Sequence, residues 1–391
     1  GGVTALARRL ERGGLRAGLD AVGIAPAEPF EDTREVLEAR RAAGLHGGMQ
    51  FTYRNPRRST DPGATLPGAR ALVVGARSYL RRPPKPTDPG PDAPTATDRT
   101  DRTEHTAGGT VARYSWVDHY EPLRRALGHL AGQLTGAGWR ATVVADDNAL
   151  VDREAAYRAG LGWYGKNANL LLGERGSWFV LGAVLTDAPL PPTGPPMDDG
   201  CGACTACLPA CPTGALVAPG VLDARRCLAW LLEAPGPFPP EHRAALGGRV
   251  YGCDDCQEAC PVNRRHARHR PPPAPEPEAE PAVDLVEMLE ADDVALMARF
   301  GRWYVPGREA RYLRRNALVA LGNVGDPADP GVERALRAAL HHRDPLVRGH
   351  AVWAAARLGR PDLLDGLGRR ESDPGVLAEL GAASRPASTG R

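Results

Sequence analysis

All eight cysteines of this 391-residue chain fall between positions 201 and 260, and no other feature constrains the fold as tightly. Thiols that dense either close a disulfide framework or hold metal. The first residues, Gly1 to Gly14, mix arginine and glutamate and show no apolar signal-peptide core. No apolar run approaches the roughly 20 residues of a spanning helix. The chain is therefore expected to be cytoplasmic, with no membrane contact, and to use its thiols for metal.

Cys201, Cys204, Cys207 and Cys211, followed by Pro212, stand in C-x2-C-x2-C-x3-C-P, the run of two-cluster bacterial ferredoxins. Four thiolates so close cannot all reach one cubane, and in that architecture the fourth crosses to the other cluster. Cys253, Cys256 and Cys260, with Pro261, form a second run, and Cys227 stands alone. The count closes as Cys201, Cys204, Cys207 and Cys260 for one [4Fe–4S] cluster and Cys211, Cys227, Cys253 and Cys256 for the other. Paired C-x2-C units also build four-cysteine zinc sites, but zinc requires neither the threefold run nor the C-x3-C-P endings. The module covers about a fifth of the chain, so its electrons need a destination elsewhere.

Residues 1 to 45 carry apolar positions every three or four residues (Leu6, Leu10, Leu15, then Val36 and Leu37) and are expected to be helical. Ala69 to Tyr79 reads as a buried strand. Residues 81–109 are Pro, Thr, Asp and Arg, too polar to offset the entropy of ordering, and are expected to form a mobile insertion. A helix from Tyr120 to Gly136, a strand from Ala141 to Ala145, a helix from Asp152 to Gly160 and a strand from Ser177 to Thr186 make residues 1–190 an α/β domain. A ferredoxin-like domain follows at 191–270, then a Pro/Glu-rich linker at 271–283. The remainder, 284–391, is helical and repetitive: LRRNALVALGNVG at 313–325 matches VRGHAVWAAARLG at 347–359, with Arg314 over Arg348 and Ala317 over Ala351. Helix pairs that bury their apolar faces only against a neighbour build a HEAT-like α-solenoid.

A net charge of +2 makes no global demand for a polyanion. Positive charge is nonetheless concentrated in RRHARHR (Arg264, Arg265, Arg268 and Arg270 with His266 and His269) and along the repeats at Arg308, Arg311, Arg314, Arg315, Arg343 and Arg348. Either set suits phosphates, and either serves equally as a solvated helix face. Of 49 cationic residues only Lys85 and Lys166 are lysine. A lysine kept within a motif points to a place where a compact ammonium serves and a planar guanidinium does not.

From Asp146 the chain runs DDNALVDREAAYRAGLGWYGKNANLLL, and GSWFVLGAVLTD follows from Gly176 to Asp187. From the residues alone this is a strand ending in a carboxylate, a helix opened by Asp152, a glycine-rich turn carrying Lys166 and Asn167, and a second apolar strand. α/β folds place reacting groups at the C-terminal ends of strands. The plainer use of Asp146 or Asp147 is to turn the chain into the next helix. Arg153 offers a bidentate fork to phosphate or hydroxyls, or an ion pair to Asp152 or Glu154.

This segment, with GGMQFTY at 47–53, LPGARALVVGARSYL at 66–80, VARYSWVDHY at 111–120, both cysteine runs and the helical tail, resembles the epoxyqueuosine reductases, cobalamin-dependent enzymes that modify tRNA. The likeness covers most of the chain, and only 81–109 looks foreign. It implies a monomer whose N-terminal domain binds cobalamin, fed with electrons by two [4Fe–4S] clusters and an external donor such as a ferredoxin or flavodoxin. The substrate it implies is a tRNA whose wobble epoxide is reduced to the cyclopentene of queuosine. It places the proton donor seven residues before Arg153, at Asp146, with Asp147 where relatives usually have a small residue. The cobalamin contacts it carries over are Arg58, Asp146, Lys166, Leu170, Ser177 and Leu181. Arg153, Arg264, Arg265 and Arg268 fall to the substrate and its tRNA, and Trp116, Tyr120, Trp163 and Tyr164 are candidates to stack on an extruded base. Some relatives have a cysteine at the start of the ARYSW-like motif where this chain has Val111 and Ala112, so no cysteine-dependent step is expected.

Two other functions use the same modules. One is a cobalamin- and cluster-dependent reductase of a small molecule, in the manner of reductive dehalogenases; it leaves the arginine cluster and the repeats without a use. The other is an electron-transfer protein with a solenoid docking arm, which has no need of cobalamin.

Overall fold

Short apolar strands flanked by charged helices bury both faces only within a sheet covered on both sides. In the computed structural model, which describes residues 2–83 and 107–384, four such strands lie in the order Ala21–Pro26, Ala71–Ser78, Phe179–Thr186, Ala141–Ala145. Every pairing is antiparallel. Ala71–Ser78 and Ala141–Ala145 therefore run the same way, linked through helix Tyr120–Gly136, while Phe179–Thr186 inserts between them in the opposite sense. The α/β expectation is corrected to an antiparallel sheet carrying helices, because an alternating pattern marks elements without fixing their direction. A second correction is strand Ala21–Pro26, which interrupts the expected helical region between helices Gly2–Arg16 and Glu31–Ala42.

On one face the fully buried Leu123, Leu127, Leu130 and Leu134 of helix Tyr120–Gly136 cover the sheet, each contributing about 1.5–3 kcal/mol of burial. The approach is close enough that a Cβ at Gly75 or Gly182 would stand 3.0 or 2.7 Å from Leu127. On the other face Leu72, Val74, Ala183 and Leu185 pack with Phe30, Leu37, Ala155 and Ala156.

The chain divides by packing into two units, Gly1–Arg82 with Val117–Cys227 and Asp254–Pro275, and Pro83–Trp116 with Leu228–Cys253 and Glu276–Arg391. The expected boundaries fall elsewhere. The cysteine spacing places residues 228–253 within the cysteine module, yet Leu228, Leu231, Leu232, Phe238 and Leu246 need an apolar partner and find it in Val319 and Trp353 of the helical repeats. Most of the insertion expected at 81–109, residues 84–106, lies outside the described residues. Its end is ordered: Gly108–Val111 pairs with Arg249–Tyr251 and Ala282–Asp284, so the linker too ends in a strand.

In the second unit, helices Arg311–Val324, Pro330–Leu340, Pro345–Arg357 and Pro374–Ala383 stack around one apolar core. Each of the last three opens with an aspartate that caps the helix and proline at the first position, a start signal written in the sequence. No helix among the described residues is long and apolar enough to cross a membrane.

Candidate functional site

Strand Ala141–Ala145 ends at Asp146, whose backbone is left-handed (φ 54°), a conformation aspartate tolerates better than most residues. Its half-exposed carboxylate lies 3.6 Å from the Arg124 guanidinium of helix Tyr120–Gly136. Burial at the strand end raises the Asp146 carboxyl above its ordinary range; Arg124 opposes this, and Asp118 and Asp147 add to it. Asp147 builds the turn instead, accepting the Ala149 N–H at 2.8 Å. Asn148 accepts the Thr52 N–H at 2.7 Å and so ties the loop to the 47–60 segment.

Two further acids share this corner. Burial, with the carboxylates of Asp152 and Asp146, pushes the Tyr120 phenol far above its usual range, which keeps it a hydrogen-bond donor. Burial likewise raises Asp152, with Arg153 opposing and Asp146 reinforcing. Tyr164 donates to Glu154 at 2.9 Å, and Glu154 also holds Arg158 at 2.8 Å. Glu154 is therefore spent on Arg158 and Tyr164. Arg153 reaches the Ala168 carbonyl at 2.6 Å while remaining exposed.

A buried network of amides sits behind the acids. Gln257 Nε2 donates to the Tyr79 hydroxyl, the Ser177 carbonyl and the Ser177 hydroxyl at 3.0, 3.1 and 3.0 Å. Asn263 closes the set, donating to Ser177 Oγ at 3.0 Å and accepting the Ser177 N–H at 2.8 Å. Gly176 makes room for it, because a Cβ there would lie 1.9 Å from Asn263 Oδ1 and its φ is +79°. Gln257 follows Cys256 and Asn263 follows Cys260 by three, so the network pins the second cysteine run to the start of strand Phe179–Thr186. At about 1 kcal/mol net per bond it is a strong clamp.

The glycine-rich turn makes the corresponding link to the first run. Lys166 donates to the Gly202 carbonyl, between Cys201 and Cys204, a reach that suits a slender ammonium. Asn167 donates to the Cys256 carbonyl at 3.5 Å, and Asn169 Nδ2 stands 4.0 Å from Cys256 Sγ.

Of the residues expected to touch cobalamin, Arg58 is exposed and Asp146 half-exposed. Ser177 is held in the amide network, Leu170 and Leu181 are buried in the core, and Lys166 is committed to Gly202. Of the six, Arg58 and Asp146 are the two whose polar side chains would be open to a corrin rimmed with amides, and the other four make contacts within the protein. Among the aromatic candidates Trp116 and Trp163 are buried, Tyr120 is half-buried, and Tyr164 alone is exposed, at 40%.

Among the described residues no two cysteines are joined in a disulfide. Burial raises Cys207, and the nearby thiols of Cys260, Cys201 and Cys204 reinforce the shift. Cys211 is desolvated too, but the N–H groups of Thr213, Leu216 and Ala215 and the Thr213 hydroxyl more than offset that and lower it. The Ala215 N–H lies 3.2 Å from its sulfur. Pre-aimed N–H donors of this kind are what a cluster thiolate needs. Cys227 and Cys256 belong to the first unit, and Cys253 closes the Leu228–Cys253 segment of the second. Among the described residues no three His, Cys, Asp or Glu are grouped as ligands of a single metal ion.

Arg264, Arg265 and Arg268 are exposed on helix Pro261–His269, with one N–H of Arg264 given to the Ala259 carbonyl at 2.8 Å. The arginines of the repeats are different. Arg315 is fully buried and donates to the carbonyls of Leu231, Leu232, Ala234 and Gly236; Arg314 pairs with Asp293 and Arg348 with Glu371. These three hold the fold together, a use that is neither of the two, phosphate contact or solvated face, that the sequence leaves open for them.

Two cysteine runs, one of them clamped at Ser177 to the start of the strand that pairs with the acid-bearing strand Ala141–Ala145, define an iron–sulfur oxidoreductase. Residues 200–263 match the 4Fe-4S double cluster binding domain family, and 307–383 match HEAT repeats. Epoxyqueuosine reductase of Bacillus cereus is 31% identical over 93% of this chain and 92% of its own length. That of Escherichia coli is 33% identical over 90% and 89%. A crystal structure of epoxyqueuosine reductase with an epoxyqueuosine-modified tRNA-Tyr stem loop aligns with TM-score 0.85 at 31% identity, covering 97% of this chain and 98% of that one. The chain belongs to the epoxyqueuosine reductase family.

Proposed function

We infer that this chain reduces the epoxide of epoxyqueuosine at the tRNA wobble position to queuosine, with Asp146 as the proton donor. The observation that carries the reading is the half-exposed Asp146 carboxyl, raised above its ordinary range at the end of strand Ala141–Ala145, whose neighbour Phe179–Thr186 begins beside the Ser177 that Gln257 and Asn263 of the second cysteine run hold. Turning an epoxide into an alkene consumes two electrons and two protons and releases water. Two [4Fe–4S] clusters and cobalamin, when bound, supply the electrons. Asp146 delivers a proton to the oxygen as its carbon–oxygen bond breaks, a role that requires the acid form near neutrality. Exclusion of water on loading raises that carboxyl further.

Arg58 and Asp146 would meet the corrin edge, and Lys166 and the amide network hold the cysteine runs in register with the acid. The ligand sets are Cys201, Cys204, Cys207 and Cys260 for one cluster and Cys211, Cys227, Cys253 and Cys256 for the other. Arg153 remains open to the nucleoside, and Arg264, Arg265 and Arg268 to the tRNA backbone. The chain works as a cytoplasmic monomer reduced by a ferredoxin- or flavodoxin-like donor.

The test is anaerobic incubation of the cluster-loaded chain with cobalamin, a low-potential reductant and epoxyqueuosine-bearing tRNA. Mass spectrometry of the nucleosides is expected to show queuosine, dependent on cobalamin. An epoxide left intact under all conditions contradicts the reading.

A further inference from the structure

We propose that the first unit carries a phosphate-binding pocket separate from the Asp146 corner. A cavity of about 340 Å³ is lined by Arg77, Arg81, Arg175, Arg270 and His266, with Asp20 as its carboxylate and Pro271 to Pro273 as a wall. Proline fixes its own backbone angle, and the Pro273 carbonyl accepts the Arg82 N–H at 3.0 Å, so that wall is held in place.

The charges in the cavity do not balance internally. Asp20 is already committed: one oxygen accepts the Ser78 N–H at 2.7 Å and the other lies 3.4 Å from Arg175. Arg77 gives one N–H to the Gly18 carbonyl at 3.0 Å, while its buried Nε–H has no acceptor. His266 is held below its ordinary range by burial and then by Arg175 and Arg270, with Asp20 opposing. Burial is the larger cause, and the Arg175 and Arg270 guanidiniums add to it. Cations gathered in a partly desolvated cavity are costly until an anion offsets them. Guanidinium forks match the oxygens of a phosphate bidentately, and an orphaned buried N–H beside them lacks only such an acceptor.

The ligand is a phosphate group, supplied either by the tRNA backbone or by a free phosphate compound. Only the first source rests on the tRNA reading. The test uses the full, cluster-loaded chain with two probes: inorganic pyrophosphate, followed by titration calorimetry, and an anticodon stem-loop RNA, followed across a salt series. Pyrophosphate is expected to bind, and Arg77→Gln to weaken it about tenfold. If the RNA backbone fills the pocket, Arg77→Gln also lowers the log–log salt slope by about one, and pyrophosphate competes with RNA. Arg175→Gln is the second variant, should Arg77→Gln lose iron or its helical signal. The proposal is overturned if wild type binds no pyrophosphate and a folded variant keeps the wild-type salt slope. A wild type that forms no queuosine and binds no stem loop speaks against the tRNA reading instead, and the pyrophosphate arm then decides the pocket alone.

Discussion

The arginines of helix Pro261–His269 and those of the helical repeats come from the same compositional excess and look alike in the sequence, yet they do opposite work. Arg264, Arg265 and Arg268 stand open to solvent, whereas Arg315 is enclosed and its guanidinium is saturated by carbonyls and Asn316. Burial lowers Arg315 to about 10. It remains charged at neutral pH and therefore depends on every one of those acceptors. A cation serves a partner only where the fold has left it unspent.

The contrast breaks most visibly at Arg315. Arg315→Met is expected to cost about 3–5 kcal/mol by stranding its carbonyls, read as an earlier unfolding midpoint by circular dichroism; an unchanged midpoint means the buried cation is not structural. Removing a thiol comes next. Cys227→Ala is expected to cut iron by about half, one cluster of two, as counted by chemical analysis. Loss of all iron would merge the two ligand sets. On the open side, Arg265→Gln should leave the midpoint unchanged and lower the salt slope of tRNA binding by about one; an unchanged slope returns that residue to the solvated surface.

The smallest effect lies at Arg124. The acid form of Asp146 is the active one, so turnover falls as pH rises through its raised pKa. Arg124 favours the carboxylate, so Arg124→Gln raises that pKa further and moves the alkaline limb of the pH–rate profile upward by up to about one unit. A shift downward reverses the assignment.

Helix Tyr120–Gly136 and strand Ala141–Ala145 were legible to the residue, because apolar spacing and a sharp glycine boundary mark both. Strand Ala21–Pro26 was not, since six small residues between two helical patterns carry too little periodicity. Strand direction was equally invisible. Within the site, the cysteines and Lys166 stand out by type and spacing, Asp146 is told from Asp147 only by the family resemblance, and the fold sets the Lys166 ammonium on the Gly202 carbonyl. Gln257 and Asn263 lie within YGCDDCQEACPVNR, and nothing in their type or spacing sets them apart from surface polar residues. What makes them matter is burial against Ser177, a long-range fact that local sequence does not hold. The same holds for Leu228 to Leu246, whose apolar partners lie about a hundred residues further along the chain.

The account turns on the carboxyl at the end of strand Ala141–Ala145. Its most direct test is single-turnover reduction of epoxyqueuosine stem-loop RNA by Asp146→Asn, scored by nucleoside mass spectrometry with iron and cobalamin content measured on the same sample. The expected result is full cofactor content with queuosine formation slowed by about 10²–10⁴-fold. Near-normal turnover with the cofactors in place would contradict it.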